Sequence, residues 1–143
     1  MNTVSVQNGR MTGHTTDGAG LMAAFAEGGV SFSGDALLLG SGGAARAIAF
    51  ETAYACHGLH MTIVCREHSR EKAESIRRGA EAFAAGRDNT YRVVGYEELE
   101  REDKRYDILI NATSVGMVPH INACPVGPEV IGRCGTVFDA VYN

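Results

Sequence analysis

The sequence has 143 residues and a mass of 15.2 kDa, with 45% apolar and 21% charged side chains, which supplies one domain with a core and excludes a disordered chain or a complete two-domain enzyme. A net charge of −4 and a pI near 5.7 exclude a broad nucleic-acid or anionic-membrane surface, leaving room only for a local basic pocket that takes a small anion. No run nears the ~18 consecutive apolar residues of a membrane span, and MNTVSVQNGR carries no leader core or cleavage site, so a cytoplasmic protein is expected.

In chain order, Thr3 to Val6, the turn Gln7-Asn8-Gly9-Arg10, and Met11 to Thr12 predict a β-hairpin belonging to a sheet of its own. Thr16 and Asp17 suit the start of a helix through Gly20 to Ala26, with Gly28 and Gly29 as its stop. From there short apolar runs alternate with longer alanine-rich or charged stretches. Strands are predicted over 36–39, 61–65, 91–94, 108–110 and 137–138, and helices over 44–55, 70–83 and 96–102. Continuous apolar strands separated by helices predict a Rossmann-like, doubly wound parallel sheet with helices on both faces. The mixed-sign run Glu97 to Arg105 reads as a solvated helix face and turn.

Eighteen glycines, about 13% of the chain against an average near 7%, point to tight turns. The four cysteines, Cys56, Cys65, Cys124 and Cys134, form no CxxC pair or zinc spacing, and His57 and His60 have no ligand set around them. Reduced, mostly buried thiols and helix-end or surface histidines are expected, with no metal.

The chemistry gathers in Asp35 to Phe50, DALLLGSGGAARAIAF. A strand, a glycine turn and an alanine-rich helix in this order match the GxGxxA form of a dinucleotide-binding turn. Gly40 permits the turn, Gly42 lets backbone amides approach a pyrophosphate, and Ala45 lets helix and strand pack closely. The anion is then expected over Ser41, Gly42, Gly43 and Ala44, at the positive end of the helix dipole. Some twenty residues on, where an acidic residue often holds a ribose diol, stands Arg66. Arg66 and Arg70 suit a 2′-phosphate, which ranks NADP ahead of NAD, while Glu67 beside them would repel phosphate or contact a ribose hydroxyl. Asp17 is the one carboxylate in Gly13-His14-Thr15-Thr16-Asp17-Gly18. Helix capping and proton handling at a substrate hydroxyl both remain open for it.

Several short motifs in one order now add to this reading. They are Asn2-Thr3-Val4, GHTTDGAG at 13–20, GSGGAARA at 40–47, Cys65-Arg66-Glu67, NATSVGM at 111–117 and Val141-Tyr142-Asn143. The chain resembles the shikimate dehydrogenase family across nearly its whole length. That resemblance implies NADP-dependent, reversible reduction of 3-dehydroshikimate to shikimate in aromatic amino acid biosynthesis. Asn2 and Tyr142 would contact substrate. Asp17 would contact it too and serve as the catalytic carboxylate. Gly40 to Ala44 would hold the pyrophosphate, Arg66 and Arg70 the 2′-phosphate, and Asn111, Thr113 and Ser114 would line the cofactor cleft.

Three departures stand out: Thr15 replaces the family's asparagine before Thr16-Asp17, Cys65 and Glu67 replace the outer residues of an Asn-Arg-Thr motif, and neither Lys72 nor Lys104 matches the catalytic lysine. The resemblance implies a division into residues 1–34, from a substrate domain otherwise missing with its connecting helix, and 35–143, the dinucleotide-binding domain. The hairpin would then be disordered or paired with a second copy as a homodimer, and the chain alone would be inactive. An NAD-dependent quinate/shikimate dehydrogenase and a non-catalytic nucleotide-binding fragment are the alternatives. A glutamyl-tRNA reductase-type domain offers no reason for Asn2, the Thr-Thr-Asp-Gly stretch or the final Val-Tyr-Asn.

Overall fold

The structure, a computed structural model, describes residues 3–141. Strands β1 (Thr3–Gln7) and β2 (Arg10–His14) form an antiparallel hairpin, in register from Thr3↔His14 to Gln7↔Arg10. Asn8 and Gly9 both take positive φ, 51° and 75°, as a tight two-residue hairpin turn requires. The alternation of the strands puts Val4, Val6 and Met11 on one face, and all three are exposed.

Helix α1 (Asp17–Glu27) follows, stopped by Gly28 and by Gly29 at φ 66°. Thr16 occupies the cap position without a side-chain cap bond, and Asp17 is the acidic residue of the first turn, where a carboxylate suits the helix dipole. Leu21 and Phe25 of α1 are buried in the main core, so this helix is packed as part of the α/β body.

That body runs β3 (Gly34–Leu39), α2 (Gly43–Ala55), β4 (Leu59–Cys65), a 3₁₀ turn (Glu67–Ser69), α3 (Arg70–Phe83), β5 (Thr90–Gly95), α4 (Tyr96–Arg101), β6 (Tyr106–Asn111), α5 (Pro128–Ile131) and β7 (Cys134–Asp139). The five strands are parallel in the order β5-β4-β3-β6-β7. Strands are added outward from β3 to one side and then the other, so the order reverses between β3 and β6, and the crevice outside their carboxyl ends is where such sheets bind ligands.

Both faces are covered. On one, Ala45, Ile48, Ala49 and Ala53 of α2 and Ala73, Ile76 and Ala80 of α3 join α1 over Ala36, Leu38, Met61, Ile63 and Ile110. Alanine at the contact positions lets the helices lie close to the sheet. On the other, Leu99 of α4 and Val126 and Val130 cover Leu37, Leu39, Val64 and Leu109. The strands are longer than predicted by one to three residues at their polar ends, because ladder bonding continues past the apolar segment, as at Asp35↔His60 and Asn111↔Asp139. Helix α5, started by Pro128 at its first turn, was not predicted: four residues are too few for a periodic pattern.

Apart from the buried Leu99, the run Glu97 to Arg105 is largely solvated, and two ion pairs tie it down. Glu102 accepts two hydrogen bonds of 2.6 Å from Arg92, and Lys104 pairs with Asp35 at 2.6 Å. All four cysteines are free thiols, with Cys56 and Cys65 buried, Cys134 half-buried and Cys124 exposed. His57 and His60 are exposed, and the His60 ring shares a 2.8 Å hydrogen bond with Thr90. Among the described residues no helix is long and apolar enough to cross a membrane, and no group of three His, Cys, Asp or Glu is arranged to hold a metal ion.

Candidate functional site: the cleft at the diverging strand ends

The glycine turn leaves β3 at Gly40. Its φ of 111° and the position of the Ala112 carbonyl, 2.8 Å from where a Cβ would stand, leave glycine as the one residue that fits. The turn is fixed by Gly40 N–H donating to the Val64 carbonyl and Ala112 N–H donating to the Leu39 carbonyl. Gly42 and Gly43 are different. Gly42 has an ordinary extended backbone, φ −84°, and an added Cβ at either position would meet nothing within 4 Å. The chain's own packing therefore gives no reason for glycine there, whereas close approach of an external group to the backbone does.

Gly42 is also the N-cap of α2, whose 13 residues start without a side-chain cap. The first amides of this helix are thereby available to an anion. Beside the turn lies a cleft of about 330 Å³, bounded by Gly40, Ser41 and Gly42, by Cys65, Arg66, His68 and Ser69 after β4, by Tyr96, and by Ala112, Thr113, Ser114 and Val115 after β6. The cleft thus brings together Gly40, Ser41, Gly42, Arg66, Thr113 and Ser114. Gly43 and Ala44 are not on the wall of this cleft and line a second hollow of about 570 Å³ with Thr15, Asp17 and Arg46. Asp17 thus shares a hollow with the first turn of α2.

Arg70 is not on the cleft wall. It starts α3 behind the turn, near enough to lower the Cys65 thiol pKa, although burial dominates and pushes that thiol up. Asn111 is buried and fully engaged: Nδ2 donates to Asp139 Oδ1 at 3.0 Å and to the Val115 carbonyl at 3.3 Å, while Oδ1 accepts from Thr113 N–H at 3.1 Å and Thr113 Oγ1 at 2.7 Å. Thr113 Oγ1 in turn accepts from Val115 N–H at 3.1 Å. This network sets the course of the loop after β6, leaving Ser114 exposed on the cleft wall. Asp139 and His68 were missed by sequence reasoning. The first had no signal beyond its place at a strand end, and the second stood among histidines read as scattered. Asn2 and Tyr142 lie outside the described residues.

A parallel sheet in this order, with an uncapped glycine turn over its switch point, defines a Rossmann-type nucleotide-binding α/β unit. No family model matches the chain. A shikimate dehydrogenase (NADP+) from a strain of Methanococcus maripaludis is 37% identical over 145 residues, covering 100% of this chain and 49% of that protein. Among solved structures, the shikimate 5-dehydrogenase of Thermus thermophilus in complex with NADP(H) and shikimate superposes with a TM-score of 0.74 at 31% identity, covering 97% of this chain and 46% of that one. The Listeria monocytogenes enzyme, solved with shikimate and NAD, gives 0.74 at 30%, covering 97% and 49%. A ligand-free 5-ketofructose reductase from a Gluconobacter species gives 0.68 at 34%, covering 95% and 47%. Over its whole length the chain is similar to proteins named shikimate dehydrogenase, and it spans about half the length of the curated relatives it matches.

Proposed function

We propose that this chain is the dinucleotide-binding part of an NADP-dependent shikimate dehydrogenase, reducing 3-dehydroshikimate to shikimate reversibly. The observation that carries this is the pair Gly42 and Gly43, glycines that the fold itself does not require, set at an uncapped helix N-terminus over the switch point. The nicotinamide of a bound cofactor would supply the hydride. Ser41 and the amides from Gly42 to Ala44 would hold the pyrophosphate, and Arg66 the 2′-phosphate. The Asn111 network would act as a positioning device for Thr113 and Ser114. Asp17 would accept a hydrogen bond from the substrate hydroxyl and help move its proton.

In the domain arrangement that goes with this reading, the hairpin of residues 3–14 lies with the substrate-binding side of the whole protein. Residues 35–143 form the cofactor side, and α1 connects the two. The hollow beside Asp17 has Arg46 as its cation, and a guanidinium does not give up a proton near neutrality. Glu51 and Tyr54 line the same hollow, and in this reading the group that works with Asp17 in proton transfer comes from the substrate-binding side of the whole protein. Use of NAD is the second reading, favoured by Glu67 and by the NAD held in the Listeria relative. Against it, Glu67 is not on the wall of the cleft whereas Arg66 is. Parallel titration with NADP and NAD tests the proposal, with NADP binding the tighter.

A further inference from the structure

The turn after β4 departs from the family's Asn-Arg-Thr pattern at Cys65 and Glu67, so recognition of a 2′-phosphate has to be composed differently here. Arg66 is extended, at φ −74° and ψ 153°, and Ser69 N–H donates to its carbonyl at 2.8 Å to close the 3₁₀ turn. Of that turn, His68 and Ser69 line the cleft beside Arg66, while Glu67 does not. Ser69 spends no side-chain bond on capping α3. No carboxylate belongs to the cleft wall, so its ionised groups are Arg66 and, when protonated, His68.

Resting on the dinucleotide reading, the geometry points to His68, with the Ser69 hydroxyl next to it, as a second arm of the 2′-phosphate site beside Arg66. Preference for NADP over NAD is then greater with an imidazolium facing the phosphate than with a neutral ring, a difference read between about pH 8 and about pH 6. Around it, Cys65, Arg66 and Tyr96 share the cleft wall, and Arg70, Glu67 and Glu74 lie close enough to act on the Cys65 thiol. Burial pushes the Cys65 thiol and the Tyr96 phenol up, so both are neutral across that range.

The test measures dissociation constants for NADP and NAD at about pH 6 and about pH 8, for the native chain and for His68→Asn. The phosphate itself gains a proton near pH 6, which lowers NADP preference in the asparagine variant on acidification. A charge-assisted hydrogen bond to the imidazolium opposes that loss. The expected result is an NADP/NAD preference at about pH 6 that is roughly tenfold greater in the native chain than in the variant, with a much smaller difference at about pH 8 and NAD affinity alike in both. The same pH profile in both proteins overturns the assignment. Glu67→Gln is expected to change NADP affinity by less than about twofold, and a large gain would put Glu67 in the cleft and overturn it too. Binding of neither dinucleotide by any variant removes the cofactor reading itself, and the role of His68 with it.

Discussion

Replacing Gly40 and Gly42 separately by alanine distinguishes a glycine required by the fold from one required by a ligand. At Gly40, φ of 111° and a carbonyl 2.8 Å from the new Cβ combine backbone strain of about 1–3 kcal/mol with displacement of a backbone group. A total of about 2–4 kcal/mol corresponds to roughly 6–12 °C of melting temperature for a domain of this size. At Gly42 the backbone is ordinary and the Cβ meets nothing. The gain from a stiffer unfolded chain and the loss of a better N-cap nearly cancel, so the melting temperature moves by less than about 3 °C. A methyl group over the first amides of α2 nevertheless holds a pyrophosphate away from its donors, and dinucleotide affinity falls by about 10- to 100-fold, at 1.4 kcal/mol per decade. Thermal melting by circular dichroism with isothermal titration of both variants reads the two effects separately. A Gly42→Ala chain that binds NADP as well as the parent refutes the assignment of the open glycines to a ligand. One that loses affinity only because it unfolds refutes the claim that the fold does not need them.

Further outcomes follow from the same geometry. Asn111→Leu is nearly isosteric but takes the acceptor from Thr113 N–H and Oγ1 and one of the donors from Asp139, which keeps its bond from Val141 N–H, and is expected to cost about 2–4 kcal/mol and to weaken dinucleotide binding. A variant that melts normally argues against the loop-setting role. The Arg92 guanidinium, bonded to Glu102, holds that carboxyl below its ordinary 4.5. Its folded-state pKa is thus depressed, so its stabilisation is complete above about pH 5 and is lost as pH falls below 4.5. With Arg92 40% exposed, the contribution is about 1 kcal/mol. Urea unfolding from pH 6 to pH 3 is expected to show that loss in the parent and not in Glu102→Gln. In a protein joining this chain to its substrate-binding side, Asp17→Asn is expected to lower turnover by about 10²- to 10⁴-fold with dinucleotide affinity unchanged. Normal turnover with a lowered melting temperature would reduce Asp17 to a helix-terminus residue.

What the sequence disclosed depended on how local each signal was. The order of strands and helices, and the span of α3 to the residue, could be read because apolar runs and alanine-rich stretches repeat at their own periods. Gly40 and Gly42 could be placed because a strand–turn–helix motif is contiguous. Their different reasons for being glycine could not, since one depends on the carbonyl of Ala112, the residue after β6, some seventy residues away. Arg70 and Arg66 look equivalent in one dimension, yet the 3₁₀ turn directs one along the cleft and the other into the start of α3. For the same reason His68 joins the cleft wall while Glu67 stays off it. Asn111 had been assigned to the cofactor through the family resemblance. Its burial and its four internal hydrogen bonds, two of them through Thr113 and one through Asp139, became visible only once β6 and β7 were paired.

The most direct test of the account is a titration of the purified chain with NADP and with NAD in parallel, at one pH and ionic strength. Saturable binding at one site is expected, tighter for NADP than for NAD and weakened for both by Gly42→Ala. Undetectable binding of both dinucleotides by a folded chain would contradict the claim that the cleft between Gly40, Arg66 and Ser114 is a cofactor site.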